Sequence, residues 1–171
     1  MTSFLFLCTV FYWLEFTAFI WKAKGRHGTH SPFAYFLVDI VRRVKVDPNK
    51  LVLNAPIPKK TARFLTQLSI ALPDFEIVNF QTENQLISDQ KKQVLLIHEK
   101  VEKEEIKKLP LLELHPESII LLTAPFLRQY KTEWKGLCEN PVFHFSADAW
   151  YFGLLSQRPQ QAKQHFLLKL A

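Results

Sequence analysis

Short apolar runs alternate with stretches of helical periodicity through the middle of this chain. That alternation constrains the fold more than any other feature. Residues 50–54, 76–80, 94–98 and 118–123 each read as a short buried strand. Between them, 61–72 turns Ala62, Leu65, Leu68 and Ile70 inward before Pro73 ends it. Residues 101–114 do the same with Ile106, Leu109 and Leu112, with Pro110 as a break point, and 127–138 reads as a further helix. Strands alternating with helices predict an α/β fold with a parallel sheet and crossover helices. The end of the chain differs. Residues 142–145 and 151–155 read as strands joined through 146–150, with no helix between them, so an antiparallel hairpin is expected. Residues 159–165 read as a short helix and 166–170 as a closing strand.

At 171 residues the chain can bury one sizeable core. An apolar fraction of 48% with 22% charged residues excludes wholesale disorder. The net charge of +6 permits an anionic partner without requiring one. An anionic membrane surface is the expected class, and nucleic acid is not. The cysteines, Cys8 and Cys138, show no metal-ligand spacing, so neither a disulfide framework nor a zinc site is expected and both read as buried thiols.

Two units are expected: a hydrophobic aromatic helix over 1–24 and an α/β domain over 25–171. Residues 4–21 are almost wholly apolar, with Thr9, Glu15 and Thr17 as exceptions, and Lys22, Lys24 and Arg26 follow at once. The length approaches a bilayer span, but Glu15 opposes burial in hydrocarbon. No basic leader or small-residue cleavage site marks a signal peptide. Three placements compete: on or in a membrane, packed on the domain or a partner subunit, or a single span. The crowding of Phe11, Tyr12, Trp13, Phe16, Phe19 and Trp21 suits an interfacial anchor and a dimer face equally.

The junction from Gly25 to Phe33 is dense in local signals. Gly25 and Gly28 let a helix end, and Ser31 followed by Pro32 starts another. Phe33, Phe36, Leu37, Ile40, Val41 and Val44 then continue at helical spacing over 32–45. His27 and His30 lack a third ligand nearby and read as helix-end residues rather than metal ligands. The basic cluster Lys22, Lys24, Arg26, Arg42, Arg43 and Lys45 reads mainly as a solvated face, with anion binding as the sharper alternative.

His27-Gly28-Thr29-His30-Ser31-Pro32-Phe33 resembles the opening segment of a Bacteroidetes-type family of class I methyltransferase-like proteins dependent on S-adenosylmethionine (SAM). Asp148, Tyr151-Phe152-Gly153-Leu154 and the run from Arg158 to Phe166 resemble that family's closing segment. The resemblance anchors about 27–45 and 118–170. It implies a Rossmann-like, methyltransferase-type sheet, mostly parallel and closed by an antiparallel hairpin. His27, Gly28, His30, Ser31, Pro32, Phe33 and Gly153 are then structural motif residues.

The chemistry of that family needs a glycine-rich turn after the first strand and an acid after the second. The turn is absent here. Asn54-Ala55-Pro56-Ile57-Pro58 holds no glycine, two prolines remove amide donors, and none of the four glycines falls between Gly28 and Gly136. Glu83 is the candidate ribose acid. The family's paired acids are replaced by Thr123-Ala124-Pro125-Phe126. His98 and Glu99, at the end of a central strand, are the remaining acid–base candidates, and Asp148 reads as a turn residue. The expected function is therefore that of a non-catalytic, truncated relative of SAM-dependent methyltransferases, acting as a binding or scaffolding domain without cofactor. Its partner is a protein or a second copy of the chain, met through the aromatic helix. The first alternative is an active methyltransferase holding SAM through an atypical loop. The second is a peripheral membrane module. The expected location is cytoplasmic, against the inner face of the membrane.

Overall fold

In a computed structural model, residues 2–24, 30–47, 57–80, 89–98, 101–123 and 129–170 are described here, the side chains of 2–10 excepted. The described elements run α1 (Thr2–Lys22), α2 (Pro32–Arg43), α3 (Lys59–Ala71), β1 (Glu76–Asn79), β2 (Gln93–Ile97), α4 (Lys103–Lys108), β3 (Ile119–Thr123), α5 (Lys131–Glu139), β4 (Phe145–Asp148), β5 (Phe152–Ser156) and β6 (Gln164–Leu167). The six strands form one mixed sheet in the order β1-β2-β3-β5-β4-β6. β1, β2 and β3 pair parallel, as do β4 and β6. β5 is antiparallel to both its neighbours, β3 and β4, so it alone runs against the rest.

The sheet is covered on both faces. Val94 and Leu96 of β2 and Ile119 and Leu121 of β3 pack with α2 and α3 through Leu37, Ile40, Phe64 and Leu65. The alternate residues, Leu95, Ile97, Ile120 and Leu122, pack with α4 and α5 through Ile106, Trp134 and Leu137. Burial on both faces is why β2 and β3 read as continuous apolar runs rather than alternating ones.

Local signals place α2 as expected. Ser31 is its N-cap in extended backbone, accepting from the Ala34 N–H at 3.4 Å, with Pro32 in the first turn. Its last carbonyls need partners, and Gln67 of α3, which is buried, donates to those of Val41 and Val44 at 3.2 and 2.7 Å. The helix expected over 101–114 is shorter. α4 ends at Lys108, and a single 3-10 turn over Leu109–Leu111 carries Pro110, whose ring cannot continue an α-helix.

The hairpin is present, but its strands lie one to three residues later than expected. Ser146 to Asp148 belong to β4 itself, and the connection shrinks to 149–151. The short helix expected over 159–165 is replaced by a turn. Arg158 has a φ of 31°, its N–H donates to the Pro116 carbonyl, and the Gln161 N–H returns to the Arg158 carbonyl. The Gln164 N–H then goes to His144 across the sheet, so the open edge of β4 takes the segment as β6, and the closing strand is 164–167 rather than 166–170. The expected strand 50–54 lies outside the described residues, as do most of 81–92 and Gly25 to Thr29.

The two motif segments meet in the core. The Arg158 guanidinium lies 3.6 Å over the ring of Phe33, which meets Phe145 edge-on at 4.8 Å, and Phe145 stacks on Phe166 at 5.7 Å. Gly153 of β5 faces α5, where an added Cβ would come within 2.7 Å of the Trp134 indole. Close approach of that ring, rather than backbone freedom, is what requires glycine there. Gly153→Ala is expected to lower stability by about 1–3 kcal/mol through overpacking, read as a lower urea midpoint at unchanged slope. An unchanged midpoint would contradict the packing described.

Candidate functional site

The carboxyl ends of the sheet are where an α/β fold usually holds ligands. His98 follows β2 there and is half-buried, but Glu99, its expected acid–base partner, lies outside the described residues, as does Glu83. The motif residues His27 and Gly28 also lie outside them, and His30 is exposed. Among the described residues no group of three or more His, Cys, Asp or Glu could hold a metal ion.

At the carboxyl end of β4 the turn itself builds a site. Asp148 ends the strand and its Oδ1 accepts the Trp150 N–H at 2.8 Å, the Asx bond that lets a short acid shape a turn. Trp150 has a φ of 66°, a left-handed conformation that a bulky residue adopts at a cost of order 1 kcal/mol. The turn is held further by Ala149 N–H to Phe152 O and by Thr61 Oγ1 to Tyr151 O.

This backbone sends the indole against α1. Trp150 lies 5.5 Å from the Tyr12 ring, 5.1 Å from Phe16 and 5.3 Å from Phe19, and its Nε1–H donates to Tyr12 Oη at 3.1 Å. The exit of α1 is fastened too. The Lys24 N–H donates to Leu167 O and the Lys24 carbonyl accepts from Lys169, so one residue extends the sheet beyond β6. The cavity left between α1 and the turn is about 20 Å³, room for one water and no more. The carboxyl ends of β4 and β6 are thus covered by the chain's own helix.

The helix uses only part of its circumference for this. Tyr12, Phe16, Phe19 and Ile20 face the domain, whereas Phe11 (65%), Trp13 (58%), Leu14 (59%) and Trp21 (95%) are open to solvent. Of the three placements expected for the helix, packing on the domain is seen, and among the described residues no helix is long and apolar enough to cross a membrane.

A second cluster sits on the α5 face of β4 and β6. Ser146 and Asp148 share that face by the two-residue period, and register sets His165 beside Ser146, with Oγ 2.9 Å from Nδ1. Cys138 adjoins from α5, and an open groove of about 660 Å³ lies between Trp134, Cys138, Lys163 and His165. A serine bonded to a histidine is one component of an activated nucleophile. Ser146, however, is only 1% exposed. Burial pushes the Cys138 thiol up to about 12, against a hydrogen bond with Ser146 that favours the thiolate. Burial also lowers the His165 pKa below its ordinary value, against the nearby Asp148 carboxylate. The cluster is a part-buried polar contact between β4, β6 and α5, with Ser146 enclosed and His165 exposed at its edge. Cys138, expected as a buried thiol, is half-buried. The Ser146–His165 contact was missed in the sequence because only strand register brings the two residues together.

Compared with family models, with curated proteins and with solved structures, the chain matches none.

In a Cys8→Ser background, Cys138 of the folded chain is expected to react with a disulfide reagent at pH 8 roughly a thousandfold more slowly than after unfolding, from its lower thiolate fraction. Comparable rates in the two states would contradict the burial assigned to it.

Proposed function

We propose that the chain is a non-catalytic domain of methyltransferase-like descent that works by binding, with the outward face of α1 as its working surface. The observation that carries this reading is the two-sidedness of α1. One face is spent on Trp150, and the other holds Phe11, Trp13, Leu14 and Trp21 in solvent, a cluster of large apolar groups of the kind that marks interaction sites.

The sequence supports the loss of chemistry. With no glycine between Gly28 and Gly136, and with Pro56 and Pro58 after the first expected strand, the chain has no loop of the type that lets backbone amides approach a nucleotide-like cofactor. The descent is supported by the motif segments and by one reversed strand, β5, lying between β3 and β4 in an otherwise unidirectional sheet.

Calorimetric titration of the full chain with SAM, and with its demethylated product, tests the reading. No saturable heat is expected with either ligand at millimolar concentration. Saturable binding at micromolar affinity would overturn it in favour of a methyltransferase with an atypical cofactor loop.

A further inference from the structure

We infer that the partner of the outward face of α1 is an anionic lipid surface, on which the helix lies parallel to the membrane plane; this rests on the binding reading above. Phe11, Leu14 and Trp21 recur at helical spacing on the side away from Trp150, with Trp13 at its margin. Tryptophan and phenylalanine exposed along a helix favour the headgroup boundary, where an apolar ring body and a polar edge are both accommodated.

Charge selects the surface. Lys22 ends the helix and Lys24 follows it, both exposed, while Lys60 and Lys169 border the cleft on the domain side of the helix, where Lys60 Nζ donates to Tyr151 Oη at 3.1 Å. Glu15 is the exposed acid on this part of the helix, and the nearby Asp148 carboxylate is engaged with the Trp150 N–H. The two lysines at the helix end complement lipid phosphate, and basic residues beside inserted apolar groups favour anionic leaflets. A second copy with its helix parallel to the first would bring Lys22 and Lys24 of both chains together, and like charges across an interface oppose association.

The test is co-sedimentation of the full chain with vesicles of phosphatidylcholine alone and of phosphatidylcholine mixed with phosphatidylglycerol. Binding to the mixed vesicles, lost at high salt and weak on the neutral ones, is expected. Trp21→Ser should weaken it by about tenfold or more, and Lys22→Gln with Lys24→Gln by about fivefold per lysine. Trp21 is almost wholly exposed, so its variant should keep the parent circular dichroism spectrum. Equal binding to both vesicle types, or no dependence on Trp21, overturns the proposal. So does a chain that ignores vesicles but dimerises in sedimentation velocity through Trp21; that result leaves the binding reading standing with a second copy as partner. A chain that neither binds vesicles nor self-associates, and that titrates with SAM, overturns both.

Discussion

The contact between the Trp150 indole and the inner face of α1 is the interaction on which the rest of this structure turns. It has a backbone cause, since Asp148 holds a left-handed turn residue in place and the turn aims the ring outward. It has a packing consequence, since three aromatic rings of one helix close around that indole. It also decides which part of an apolar helix meets the domain and which part meets something else. A helix apolar on all sides is ordinarily buried on all sides. Here only one side is, and the exposed remainder is what any account of function has to explain.

β5 runs antiparallel to β4 because a three-residue connection can only reverse the chain, and Gly153 lets Trp134 close over it from the other face. Phe33, Phe145, Phe166 and the Arg158 guanidinium tie the start of α2 to the closing strands. Three residues of the segments singled out in the sequence, Phe33, Gly153 and Arg158, make packing contacts. Phe33 and Arg158 fasten one face, Gly153 the other, and none of these contacts needs a cofactor to explain it.

Much of this was legible in the sequence. The β2 and β3 runs, the Ser31-Pro32 helix start and the absence of a helix inside the terminal hairpin depend on local chemistry, and each is where the residues place it. What the sequence withheld depends on pairing. Residues 159–165 carry a proline at a first helical position, which suits a helix, yet the free edge of β4 offers backbone bonds that a short helix cannot match, and β6 forms instead. The Ser146–His165 contact follows from that register. Glu15 and the lysines could not say which side of α1 is buried, because Trp150, more than a hundred residues away in sequence, makes that choice.

The four tryptophans of the chain report the central claim together, since they sit on α1, on α5 and in the turn. Hydroxyl-radical footprinting of the free chain in solution, read residue by residue by mass spectrometry, ranks their exposure in one experiment. A two-sided helix clamped by the β4–β5 turn predicts rapid oxidation of Trp21, then Trp13, with Trp150 and Trp134 protected. Trp150 oxidised as fast as Trp21, or Trp21 protected as well as Trp134, would contradict it.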